Sequence, residues 1–255
     1  MCTVSTHQDG NTLLVTMNRD EARSRGPELP PERFCHGPVS WLAPRDSERG
    51  GSWIGANSLG VVACLLNGYL PGDDAPRPPL DGFRTRGEIV PRLLQLGDAG
   101  PMRNELVTAF DPGAYPSFTL LLATTGRVDA YYWTGEGTLQ HDRFRDNWHM
   151  VTSSSWNSGA VCAWRRREFD RWLKSRGMRD GIPEFHLLHP EGQYQWSPLM
   201  DRDFAATRSI TQVEIREETL VMRYWPRQAV DNRAAPCAMT LALAKRSIQP
   251  RGPRA

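Results

Sequence analysis

Hydrophobic and polar positions alternate along this chain in short bursts, and the bursts come in pairs around turn residues. Residues 3–6 and 13–17 are β-prone and flank Asp9-Gly10-Asn11, which predicts an N-terminal hairpin. Residues 52–57 and 61–66 around Ser58-Leu59-Gly60 predict a second, 118–124 and 128–133 around Gly126 a third, and 207–214 with 220–225 a fourth. Residues 149–153 read as a short strand and 237–244 as a last one. Between the strands the period changes to that of a helix. Residues 85–96 place Ile89, Leu93 and Leu96 on one face ahead of Gly97, with Pro91 set to kink or delay the helix. Residues 102–110 predict a short second helix. Residues 164–176 predict an amphipathic third, with Phe169, Trp172 and Leu173 inward and Arg165-Arg166-Arg167 as a solvated face. Two Pro-rich stretches, 26–44 and 71–79, read as irregular loops.

Strands therefore dominate both ends, with helices between them. That order argues for packed layers, paired antiparallel sheets with helices outside, rather than alternating βαβ units. A length of 255 residues favours one domain, here residues 1–246, followed by a basic, flexible tail at 247–255.

Composition narrows the class. Hydrophobic residues at 39% support a core, and charged residues at 24% exclude a disordered chain. No apolar run approaches the roughly 20 residues needed to span a bilayer, and no secretion signal opens the chain, so a cytoplasmic location is expected. The bases are almost all arginine, with only Lys174 and Lys245 as lysine, but acids interleave with them and the net charge is +2. A nucleic-acid partner is not expected. The five cysteines, Cys2, Cys35, Cys64, Cys162 and Cys237, form no C-x-x-C pair, so reduced thiols and mostly core positions are expected, Cys64 clearly so. Six histidines show no metal-binding spacing; His186 and His189, like the rest, read as exposed structural residues.

Cys2 carries the candidate chemistry. A thiol needs a base, and removal of Met1 would put an α-amine, with pKa about 7.7–8.0, on the same residue as the nucleophile. If the first hairpin pairs as expected, Arg19 and Asp20 come near the start of the strand that Cys2 opens. Asp20 can then hold an ammonium, and Arg19 can stabilise a thiolate or oxyanion. Adjacent strand residues point to opposite faces, so both reach Cys2 only if the strand has ended. Asn67 offers an amide to an oxyanion or caps a turn. Trp53 walls a pocket or fills the core.

Met1-Cys2 followed by Asn18-Arg19-Asp20-Glu21 resembles the NRDE family, also called the transport and Golgi organization family. Further blocks occur in family order. They are Gly50-Gly51-Ser52-Trp53-Ile54-Gly55-Ala56-Asn57 with Leu66-Asn67, then Arg84-Thr85-Arg86-Gly87-Glu88-Ile89-Val90. Thr152-Ser153-Ser154 and Ala206-Thr207-Arg208-Ser209-Ile210-Thr211 follow. The resemblance implies a four-layer αββα sandwich of two antiparallel sheets flanked by helices, like that of N-terminal-nucleophile hydrolases. It also implies a distant likeness to cysteine amidohydrolases that cleave bile-salt and penicillin V amides. Those enzymes use an N-terminal Cys, an Arg and an Asp, a mid-chain Asn and a later Arg. Here Cys2, Arg19 and Asp20 match in kind, Ser153 or Asn157 takes the mid-chain place, and Arg208 is the later arginine.

Two functions are carried forward. One is a thiol amidohydrolase that acts through Cys2 on a non-peptide small-molecule amide and needs no cofactor. The other, implied by the resemblance, is a non-catalytic carrier of haem or a lipid-like ligand on the same fold. A haem would take an axial ligand from among Cys2, Cys35, His36 and others.

Overall fold

A computed structural model describes residues 2–69 and 82–244. The loop expected at 71–79 and the tail expected at 247–255 lie outside them. The first hairpin is β1 (Cys2–Asp9) and β2 (Thr12–Ala22), joined through Gly10 at φ +54°. Two more strands follow at once, β3 (Glu28–His36) and β4 (Val39–Asp46), then β5 (Ile54–Asn57) and β6 (Val62–Asn67). A 3-10 turn at Arg86–Glu88 leads into α1 (Ile89–Leu94), and α2 (Ala99–Thr108) follows. Next come β7 (Phe118–Thr124), β8 (Arg127–Trp133), β9 (Gln140–Phe144), β10 (Trp148–Ser153) and the long α3 (Ser158–Ser175). The C-terminal part holds the small pair β11 (Met178–Arg179) and β12 (Ile182–Pro183), then β13 (Ala205–Arg216), β14 (Thr219–Pro226), α4 (Arg227–Asp231) and β15 (Cys237–Ala242).

Among the described residues the strands form two large antiparallel sheets, in the orders β10-β1-β2-β13-β14-β15 and β3-β4-β5-β6-β7-β8-β9, and the separate two-stranded pair β11-β12. Side-chain alternation explains how they stack. In the run Val61–Leu66 the even positions Val62, Cys64 and Leu66 join Val4, Val15 and Met17 between the sheets. The odd positions Val61, Ala63 and Leu65 face Ile89, Leu93 and Met102 of the helices. A strand covered on both faces reads as an unbroken apolar run. On the outer face of the other sheet, Phe169 and Trp172 of α3 pack on Met150. The layers are thus helix, sheet, sheet, helix, as the resemblance implied.

Several local expectations change. The stretch 26–44, read as a loop, is mostly β3 and β4. Its prolines sit where a ladder tolerates them: β3 is an edge strand whose register slips between Leu29 and Glu32, around Pro30 and Pro31, and β4 pairs with β5 only at Trp41 and Leu42, short of Pro44. β9 was not foreseen. The helix expected at 85–96 is shorter; Pro91 lies in its first turn, and Leu96 falls beyond it, 39% exposed, ahead of Gly97 at φ +80°. The third helix starts six residues early, at Ser158. The arginine run is not a uniform solvated face, because Arg165 is fully buried while Arg166 and Arg167 are exposed. His186 is fully buried as well, and Cys35 and Cys237 are exposed rather than core. No helix among the described residues is long and apolar enough to cross a membrane.

Candidate active site

The site grows from the β1–β2 register. Cys2 stands opposite Arg19 on one side and Ser153 of β10 on the other. Directly paired residues share a face, so all three turn toward the space between the sheets. Cys2 is 6% exposed and borders a cavity of about 280 Å³. Burial pushes its thiol pKa up; the Asp20 carboxylate adds to the rise, while the Asp20 main chain and Arg19 pull it down. Cys64 lies in the same core, its thiol raised by burial and by Cys2.

Arg19 is held rather than loose. Its guanidinium donates to Glu28 at 2.6 Å and to Glu21 and Asp46 at 3.3 Å, and lies 4.3 Å above the Trp53 ring. Trp53 therefore does both things foreseen for it: it fills the inter-sheet core and walls the cavity. Asp20, one residue on, takes the other face. Thr207 donates to it at 2.6 Å, and the Arg165 guanidinium lies 3.5 Å away. The strand has not ended, since β2 runs to Ala22, yet both residues border the cavity. Arg19 reaches it from between the sheets, and Asp20 belongs to the layer beneath α3.

Asn18 is drawn away from the cavity. Its side chain bonds the His186 ring at Nδ1, and its amide donates to the His186 carbonyl at 3.0 Å. Ser5 bonds the other ring nitrogen at 2.6 Å. Burial pushes His186 down to about 3, so the ring is neutral and bridges β1 and β2 to the 184–187 turn. The first residue of the tetrapeptide is thus a brace.

The two glycine blocks meet at the cavity mouth. A Cβ on Gly51 would lie 2.6 Å from the Gly87 carbonyl carbon, and Ser52 N–H donates to the Gly87 oxygen at 2.9 Å. Only a backbone without side chains fits this crossing. A Cβ on Gly55 would meet Leu94 at 2.6 Å, which seats α1 on β5. Arg86 donates to the Ser117 carbonyl at 2.7 Å, and Glu88 accepts from the Tyr115 hydroxyl at 2.6 Å while pairing with Arg84. Asn67 borders the cavity and donates to the Tyr69 hydroxyl at 3.2 Å.

Three expected residues fall elsewhere. Ser153 lies beside Cys2 but does not border the cavity, and its hydroxyl is buried with no hydrogen-bond partner among the described residues. Asn157 sits at φ +43° ahead of α3 and does not border the cavity. Arg208 is the residue skipped where the β2–β13 register shifts; its Nε lies 3.6 Å from Glu28, outside the cavity. Sequence reasoning missed Arg165 and Arg202. Arg165 bonds Thr3, Thr152 and the carbonyls of Trp196 and Ser197. Its signal was present: Arg165 is four residues before Phe169, on the same helical stripe as Val161 and Trp172. Arg202 donates to Ser154 and to the Gln195 carbonyl, and burial, with the Arg165 charge next, lowers it to about 10.

A family model, "TANGO2: Transport and Golgi organisation 2", matches residues 1–217. No curated protein matches the chain. Among solved structures, an N-acylethanolamine-hydrolyzing acid amidase ortholog from Caenorhabditis elegans matches with TM-score 0.59 at 10% identity, over 83% of this chain and 92% of that one. Penicillin V acylase from Agrobacterium tumefaciens matches with TM-score 0.52 at 10% identity, over 96% and 87%. A variant of the conjugated bile acid hydrolase from Clostridium perfringens matches with TM-score 0.50 at 10% identity, over 96% and 98%. At such identity the likeness is one of fold.

Proposed function

The chain belongs to the transport and Golgi organisation 2 family, and from that premise we propose that it is a cysteine amidohydrolase whose nucleophile is Cys2 and whose substrate is a small-molecule amide. The observation that carries the reading is the pairing of Cys2 with a fully braced Arg19 at the edge of a cavity of about 280 Å³. The fold shared with three hydrolases adds to it.

In the proposed reaction, cleavage of the Met1–Cys2 bond frees the Cys2 amine. That amine takes the thiol proton, and the sulfur attacks the amide carbonyl carbon. The carbonyl electron pair moves onto oxygen, where the Asn67 amide at the cavity wall can donate to it. Collapse of the adduct breaks the C–N bond; the ammonium returns its proton to the departing amine and a thioester remains. Water hydrolyses the thioester and restores the thiol. Arg19 lowers the cost of the negative charge, and Asp20, fixed by Thr207 and Arg165, holds the ammonium. A thiol whose pKa is raised by burial needs such a base.

The haem-carrier reading fits the residues less well. Among the described residues bordering the cavity, Cys2 is the single side chain of the Cys, His, Met and Tyr set, and burial disfavours its thiolate. Cys35 and His36 are exposed on the edge strand β3. Intact-mass measurement after incubation with a thiol-reactive amide probe, and separately with haem, decides between them. The expected result is loss of Met1 with probe on Cys2 and no turnover by Cys2→Ala. Full turnover by Cys2→Ala, or haem bound by a protein that ignores the probe, overturns the amidohydrolase reading.

A further inference from the structure

The cavity that Cys2 borders carries an unequal charge. Arg19, Arg25, Arg49, Arg84 and Arg86 line it against three acids, Asp20, Glu21 and Asp46. Most of these cations are engaged. Arg19 is shared by Glu21, Glu28 and Asp46; Arg25 pairs with Asp46 and Glu48; Arg84 pairs with Glu88; Arg86 donates to the Ser117 carbonyl. Arg49 differs. Its guanidinium has no acidic, carbonyl or aromatic partner among the described residues, and it is exposed at the cavity mouth.

The turn that carries Arg49 is nevertheless fixed. One Asp46 carboxylate oxygen accepts from Glu48 N–H at 3.0 Å and from Arg49 N–H at 2.9 Å. The Asp46 carbonyl accepts from Gly50 N–H at 2.9 Å, and Asp46 N–H donates to the Gly51 carbonyl at 2.8 Å. Gly51 then crosses Gly87. A rigid turn thus presents an unspent guanidinium to the cavity. A guanidinium fork matches a carboxylate, sulfonate or phosphate, and its planar, preorganised donors lose little entropy per hydrogen bond formed. Trp53, which packs with Cys2 between the sheets, gives the cavity an apolar wall.

We propose that Arg49 selects amide substrates bearing an anionic group on the acyl or the amine portion. The inference rests on the amidohydrolase reading for its chemistry, but the anion site can be measured without turnover. Two matched probe pairs are used with the full chain: an N-acylglycinate against the N-acylethanolamide of the same acyl group, and a glutaryl against a pentanoyl amide of the same amine. They place the charge on the amine side and the acyl side respectively.

The expected result is that in at least one pair the charged member has the higher kcat/KM, with the ratio falling toward one in high salt. Arg49→Ala lowers that ratio about 5-fold and Arg49→Lys recovers part of it. An equal loss for both members of each pair, or a ratio indifferent to salt, overturns the anion site while leaving the hydrolase standing. Calorimetric titration of Cys2→Ala with the same probes separates the other failure. Arg49-dependent binding of the charged probe without turnover by the unsubstituted protein keeps the anion site and removes the hydrolase. No binding and no turnover removes both.

Discussion

Replacing Arg165 by methionine tests the buried layer beneath the active site. Arg165 and Asp20 both have fully buried side chains, and their charged ends lie 3.5 Å apart. Methionine keeps most of the apolar stem, so the loss falls on the guanidinium. Removing one partner of a buried ion pair costs about 3–5 kcal/mol, because the other charge stays behind without compensation. Asp20 keeps Thr207, which limits the cost. The carbonyls of Trp196 and Ser197, bonded to Arg165 at 2.8 Å, lose a donor at about 1–3 kcal/mol each. These terms overlap, and a total near 4 kcal/mol is expected, equivalent to a melting-temperature drop of roughly 10 °C for a chain of this size. Urea unfolding should show a lowered midpoint at constant slope. Arg167→Met, two residues along and exposed, should stay within about 0.5 kcal/mol. A double-mutant cycle with Asp20→Asn should show strong coupling. A loss below about 1 kcal/mol for Arg165→Met, or a loss equal to that of Arg167→Met, would refute the assignment of this arginine to the interior.

Two further outcomes follow from the geometry. His186 is held down to about 3 in the folded protein and returns to about 6.5 on unfolding, so the stability it brings is complete above pH 6.5 and is lost as pH falls toward 3; unfolding free energy should decline between pH 6.5 and 5, above the carboxylate range, and a slope unaltered in His186→Gln would sink the idea. At the cavity mouth, Gly51→Ala forces a Cβ to within 2.6 Å of Gly87 backbone, whereas the nearest atom to a Cβ on Gly87 is 3.2 Å away. Gly51→Ala should cost about 1–3 kcal/mol in urea unfolding and Gly87→Ala less, and equal costs would contradict the backbone crossing.

The sequence alone determined the parts of this protein that local pattern governs. Runs of β-prone residues on either side of turn residues located most strands, because both signals are local: the unbroken apolar run Val61–Leu66, behind Ser58-Leu59-Gly60, is a strand buried on both faces. The tetrapeptide 18–21 and the two glycine blocks marked the site, and Arg19, Asp20, Glu21, Gly51 and Gly87 border one cavity with Cys2. What the sequence did not determine is which partner each polar group finds. Asn18 and Arg19 are neighbours, yet one braces a buried histidine 168 positions away and the other borders the cavity. The prolines of 26–44 argued for a loop, and only the position of β3 at a sheet edge made them compatible with a strand. The arginines at 165–167 look alike in sequence. Tertiary packing buried the first because α3 lays that position over Asp20, Thr3 and Thr152, where a buried donor array is satisfied from four separate segments. Burial of charge depends on such long-range partners, which no local pattern records.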